Sequence, residues 1–421
     1  MIKRNPINRL RKWSSLFGGI ALLSSSAWAE LQWDFSGFAS YGVGKLSDSA
    51  LTLLDYTGDH WSSRPDSVLG LQSILQTGDR WSLTGQVVAK GYSFDGRNPY
   101  DPRLEWFFVS YEATPDVRLR LGRLRTPHFL YSESLEIGYS YPWVRPPVNM
   151  YANFLEPFSN FNGADVTLQK EIGDFENEFK VFAGSEKGKY RGRDVDVETM
   201  AGFTAQSKWE GFTFRYCYNW NRISITDPNL KLPYDLFTSF ANNLHEPIFA
   251  DIADTLHVDG QVFQYHGLGV QWEDGPWTVI AEKLMTQGPD RQFSFENDGR
   301  YVTVARQIES FMPYLTVGDY RSQMQHSMTH RIYDSYNVVP ARQNGLLDYL
   351  RTATIAGIDD LSVFQRSITL GLRWDFHTNA DVKIEAEYFS HLKSTGQMLF
   401  DASEPEPHHV LATSLVFDVV F

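Results

Sequence analysis

The chain lacks the residues that several protein classes depend on. It has one cysteine, Cys217, in 421 residues, which excludes an internal disulfide framework and any cysteine-built zinc cluster. Past the N-terminus no apolar run approaches the roughly 20 residues of a membrane-crossing helix. There is no basic surplus. Lys and Arg total 38 against 51 Asp and Glu, a formal net charge of −13, which argues against nucleic acid as a partner. No G-x-S-x-G elbow occurs, so a serine hydrolase of that type has no visible nucleophile. What is plentiful is aromatic side chain: 29 Phe, 21 Tyr and 12 Trp, or 15%, beside 21% charged residues and a mean hydropathy of −0.34. Disordered chains do not carry that aromatic load. An all-β protein or an aromatic-rich enzyme remains.

Residues 1–29 read as a secretory signal. Lys3, Arg4, Arg9, Arg11 and Lys12 are basic, a short apolar core runs from Leu16 to Leu23, and Ala27-Trp28-Ala29 gives the small-x-small cleavage pattern. Cleavage after Ala29 is expected, with no lipidated cysteine following it. Removing those five basic residues and no acidic one takes the net charge from −13 to −18.

From residue 30 onward the chain alternates with period two, the mark of strands with one apolar and one polar face. Leu31, Trp33, Phe35, Gly37, Ala39, Tyr41 and Val43 share one face; Gln32, Asp34, Ser36 and Ser40 share the other, with Phe38 breaking the pattern. The alternation predicts sixteen strands, near 31–44, 67–76, 81–92, 103–113, 117–124, 162–170, 175–184, 199–208, 212–222, 261–272, 277–286, 300–306, 311–319, 364–376, 381–389 and 409–421. The twelfth and thirteenth are the weakest, which leaves fourteen or eighteen open. Connections are short on one side, as at Thr77–Arg80 and Glu273–Pro276, and long on the other. That asymmetry and an even strand number fit a transmembrane antiparallel β-barrel with short periplasmic turns and long exterior loops. In lipid every backbone N–H and C=O must be paired within the protein, so a sheet crosses only by closing on itself. Trp81, Trp220, Trp272, Trp277 and Trp374 suit interfacial girdles.

The last strand alternates Leu411, Leu415, Phe417, Val419 and Phe421 up to a C-terminal Phe. It resembles the terminal strand of bacterial outer-membrane proteins, whose final aromatic is read by the barrel-assembly machinery. Leu119-Arg120-Leu121-Gly122-Arg123-Leu124-Arg125-Thr126-Pro127, followed by Ser132-Glu133, is similar to the fifth strand and inward-folded third loop of Gram-negative porins. Ser367–Phe376 and Val382–Tyr388 resemble a porin's final hairpin. The resemblance implies a sixteen-stranded outer-membrane barrel over 30–421, narrowed by a constriction loop at 126–160. It further implies a homotrimer surrounded by outer-membrane lipid and lipopolysaccharide, passing small hydrophilic solutes passively, with no cofactor, metal or catalysis. The stretches 223–260 and 320–363 are longer than usual porin loops, and the acidic balance departs from an anion-selective arginine ladder.

A porin selects by width and by charge at its narrowing. The inward face is expected to carry Lys90, Arg118, Arg120, Arg123, Arg125, Lys180, Arg215, Arg373, Lys383 and Glu385, opposite Glu133, Glu136 and Glu156 of the loop. That arrangement would set up a transverse field, and Arg373 and Asp375 are expected to pair with Lys383 and Glu385. Tyr139, Tyr141, Trp143 and Tyr151 either pin the loop to the wall or offer a sliding surface for solute rings. The excess of acids points to cations or neutral solutes. The rival classes are a plugged structural or adhesive barrel and an outer-membrane barrel enzyme. Glu404–His409 carries metal-capable side chains but no spaced partner.

Overall fold

The computed structural model describes residues 31–49, 51–92, 96–151, 158–190, 193–256, 258–289, 295–324, 326–360, 363–393 and 409–421. The signal segment with its cleavage site, Glu156 and the run 404–408 lie outside them. Sixteen strands form one closed antiparallel barrel in which each strand pairs with its neighbours in sequence. They are β1 (Leu31–Leu46), β2 (Val68–Thr77), β3 (Trp81–Lys90), β4 (Arg103–Thr114), β5 (Val117–Arg125), β6 (Asn160–Ile172), β7 (Phe175–Tyr190) and β8 (Arg193–Trp209). The second half comprises β9 (Phe212–Thr226), β10 (Val258–Asp274), β11 (Trp277–Gln287), β12 (Phe295–Arg306), β13 (Phe311–Met324), β14 (Val363–His377), β15 (Ala380–Lys393) and β16 (Val410–Val420).

Closure is made by β1 on β16, in register from Phe38 opposite Val420 to Leu46 opposite Ala412. Gly37 and Phe421 exchange both backbone hydrogen bonds, at 2.7 and 2.9 Å, so the C-terminal residue completes the seam. Around the ring each of the sixteen strands has two partners, which removes the unpaired backbone groups that an open sheet presents.

The alternation read from the sequence has a definite sense. Leu71, Leu121, Val181 and Leu370 expose 57, 67, 61 and 62% of their surface on the outside, whereas Asp381 and Lys383 inside expose none. A soluble barrel would be built the other way round. Aromatic residues gather at the short-turn end of the outer face, where Trp209, Phe212, Trp272, Phe311 and Trp374 lie against aromatic neighbours. Trp220 lies toward the opposite end of β9. Phe38 turns inward, and its ring occupies the space beside Gly70 of β2, where an added Cβ would come within 2.1 Å of it. Gly371 makes the same allowance for the Tyr314 ring.

At the long-connection end the strands run further than expected. β7 and β8 continue as a hairpin through most of 185–198, and β12 begins at Phe295. The stretches 223–260 and 320–363 also differ from plain loops, because they fold into helices. Between β9 and β10 lie α2 (Pro228–Leu244) and α3 (Pro247–Thr255); between β13 and β14 lie α4 (His326–Val338) and α5 (Gly345–Asp360). Phe237, Phe249, Ile252, Ile332, Leu347 and Leu350 form one buried core shared by all four. Arg351 donates to the carbonyls of Ser335 (2.6 Å) and Val339 (2.8 Å), satisfying acceptors at the end of α4.

Candidate functional site

After β5 the chain turns into the barrel. It makes single 3-10 turns at Ser132–Ser134 and Gly138–Ser140 and ends in the short α1 (Val148–Tyr151). Pro146 and Pro147 fix φ and stiffen the return. A segment inside a barrel must find partners for its own backbone, and the wall supplies them. Arg215 donates to the Pro127 carbonyl at 2.8 Å, and Tyr265 to the His128 carbonyl at 3.1 Å. Glu282 of β11 accepts from the Leu130 amide (2.6 Å) and from the hydroxyls of Tyr151 (2.7 Å) and Tyr301 (3.0 Å).

Ion pairs fasten the middle of the loop. Glu133 meets Lys180 at 2.8 Å and Arg120 at 3.4 Å; Arg120 in turn holds Asp165 at 2.6 Å. Glu136 meets Lys90 at 2.5 Å and Arg125 at 3.5 Å, with Glu105 beneath both bases. The Lys180 ammonium, followed by Arg120, holds the Glu133 carboxyl well below the usual carboxylate range. On the far side Lys383 donates to the Gly138 carbonyl at 2.6 Å and pairs with Asp418 at 3.0 Å. Arg373 donates to the carbonyls of Tyr139 (2.9 Å) and Tyr141 (3.0 Å).

The charges separate by side. Arg120, Lys180 and Arg215 occupy β5, β7 and β9 and face the acid Glu133. Around β14–β16 and the approach to β2, the acids Asp66, Asp381, Glu385, Glu387 and Asp418 predominate, and the loop answers with Arg145. Arg145 binds Asp66 at 2.6 Å and the Ser414 hydroxyl at 2.6 Å. The loop therefore offers an acid to the basic wall and a base to the acidic one.

Lys90, Arg120, Arg125, Glu133, Glu136, Arg215, Arg373, Lys383 and Glu385 all fall at the contact between loop and wall. Glu385 accepts from the Val144 amide at 3.3 Å and from Tyr314 at 2.8 Å. Arg118 stands apart, paired with Glu112 at 2.5 Å toward the short-turn end. Arg123 does not line the lumen. It shares the parity of the outward Leu119 and Leu121, lies opposite the exposed Phe107, and binds Glu186 at 2.8 Å. The expected pairing around Arg373 is also corrected. The register sets Arg373 directly opposite Lys383, two like charges, and Asp381 lies between them at 3.0 and 3.8 Å. Asp375 does bind Arg373, at 2.7 Å, but Glu385 turns to Arg145, 3.9 Å away.

The loop aromatics pin the segment. Trp143 is 1% exposed and donates to Thr303 (3.0 Å) and Thr316 (3.1 Å), while Tyr139 reaches the Thr378 carbonyl at 2.9 Å. Asn149, buried, donates to Ser367 at 2.7 Å and accepts from Gln365. Arg145, Asp66, Asp381 and Asn149 were not singled out as site residues from the sequence. Among the described residues no three His, Cys, Asp or Glu side chains converge as a metal site.

This closed sixteen-stranded barrel with an inward third loop has the fold of the Gram-negative outer-membrane porins. Among solved structures, the anion-selective porin of Comamonas acidovorans matches with a TM-score of 0.55 at 11% identity, over 93% of this chain and 100% of that one. The outer-membrane channel DcaP of Acinetobacter baumannii gives 0.54 at 9% identity, over 96% and 100%. OmpF of Salmonella typhi, solved with daunomycin, gives 0.53 at 11%, over 92% and 97%. No family model matches the chain, and neither does any curated protein.

Proposed function

We propose that the chain is an outer-membrane porin of a Gram-negative bacterium, a passive channel for small hydrophilic solutes with a charged constriction. The observation that carries this reading is the loop at 126–151, held across a closed barrel whose inside is charged and whose outside is apolar. An apolar belt outside and a polar lumen are the physical requirements of a water-filled passage through lipid. Charges of both signs on opposite walls orient dipolar solutes and disfavour apolar ones. The reading includes export by residues 1–29, assembly through the strand ending at Phe421, a homotrimer and the absence of catalysis.

Planar-bilayer recording tests it. The purified chain is expected to insert in discrete conductance steps. A plugged barrel is the second reading, favoured by the loop's bonds to strands on every side of the lumen. It requires no steps at all, and would leave binding to the helical exterior.

A further inference from the structure

A cavity of about 140 Å³ remains between the loop and the wall of β1, β2 and β3. A single water needs about 10–15 Å³ on the same measure, so the space takes a solute of several heavy atoms. Two ion pairs border it, Lys90 with Glu136 at 2.5 Å and Arg145 with Asp66 at 2.6 Å. The pairs run in opposite senses: in the first the wall supplies the base and the loop the acid, and in the second the reverse. Val68, Leu135 and Val144 complete an apolar side.

We propose that this cavity is a subsite for a small amphiphilic zwitterion, an amino acid with an apolar side chain. The proposal rests on the channel reading and names the solute class for it. The four bordering charges sum to zero. A solute carboxylate placed between Lys90 and Arg145, with its ammonium toward Glu136 and Asp66, adds a counter-charge to every group and a surplus to none. A simple anion would meet two carboxylates and a simple cation two bases, in a site sheltered from water where like charges repel strongly. In the second layer Arg125 stands 3.5 Å behind Glu136, Glu105 3.5 Å behind Lys90, and Glu387 and Glu385 3.7 and 3.9 Å behind Arg145. The apolar side chain of the solute lies on Val68, Leu135 and Val144.

Three probes share one carbon skeleton: L-leucine, 4-methylpentanoate and 3-methylbutylamine. Binding to the full chain in detergent micelles is measured by equilibrium dialysis, beside single-channel recording of the same preparation. Leucine is expected to bind at least about tenfold more tightly than either singly charged probe. The E136Q variant is expected to lose about tenfold for leucine. The K90M/E136Q double variant removes one pair whole, leaves no lone charge to upset folding, and should lose as much. Equal binding of the three probes, or unchanged leucine binding in the double variant, overturns the inference. Leucine binding without conductance keeps the site and overturns the channel reading; conductance without discrimination does the opposite.

Discussion

Replacing Lys383 by Met tests how the loop is fixed. The Lys383 side chain is fully buried and its ammonium has three partners: Asp418 at 3.0 Å, Asp381 at 3.8 Å and the Gly138 carbonyl at 2.6 Å. Methionine keeps the length and removes the charge. Asp418, 1% exposed, is then left without a base, and breaking a buried pair in this way costs about 3–5 kcal/mol. Asp381 keeps Arg373 at 3.0 Å, so one stranded acid accounts for most of the loss. The Gly138 carbonyl loses this bond, which adds about 0.5–1.5 kcal/mol, but keeps the Tyr141 amide at 3.4 Å. Urea unfolding in detergent micelles, followed by tryptophan fluorescence, reads the total. The K383M/D418N double variant should regain most of the stability, because removing both charges leaves neither stranded. A K383M protein within about 1 kcal/mol of the parent would refute the reasoning.

Three further outcomes follow from other parts of the molecule. Leu121→Arg, on the outward face, should reduce barrel stability by roughly 2–4 kcal/mol in bilayers, read by unfolding from lipid vesicles. Phe249→Ala empties the core shared by α2–α5 and should loosen those helices by about 3–5 kcal/mol; hydrogen exchange would rise there and stay unchanged in the strands. Burial, followed by the Arg215 charge, pushes the His128 imidazole down to about 3, against 6.5 for a free one. The unfolded chain therefore binds the extra proton between those values, and stability falls by about 1.4 kcal/mol per unit as pH drops through that window. Glu133, held low by Lys180, adds its own loss once pH falls below 4.5, the ordinary carboxylate value. His128→Gln should flatten the slope between about pH 6.5 and 4.5 in unfolding measurements.

The strands were legible because each answers to a face that must be apolar, and one residue in two records it. Where that demand ends, so does the signal. The β7–β8 hairpin beyond Gly184 carries Glu186, Lys187, Lys189 and Asp194 in paired strands that no apolar pattern marks. The helices left a trace that strand-based reading passed over, since Tyr234, Phe237 and Phe240 recur at helical spacing and pack on one core. At the site, parity put Arg120, Arg215, Arg373 and Lys383 on the face that meets the loop; applied strictly it removes both Arg123 and Arg125, and Arg125, at the end of β5, nonetheless meets Glu136. Partners were less accessible. No alternation marks Arg145, in a loop, as the partner of Asp66, 79 positions away in sequence. Asp381 and Asp418 became partners of one lysine through the β15–β16 register, which no single strand displays.

The central claim is that the barrel turns apolar side chains to lipid and charged ones to a wet interior. Spin labels at successive positions of β7, from Phe175 to Val181 in a Cys217→Ala background, test it most directly. Oxygen, which partitions into lipid, should reach Phe175, Phe179 and Val181, while a water-soluble nickel chelate reaches Glu176 and Glu178. Accessibilities without that period of two, or with the two reagents exchanged, would contradict the account.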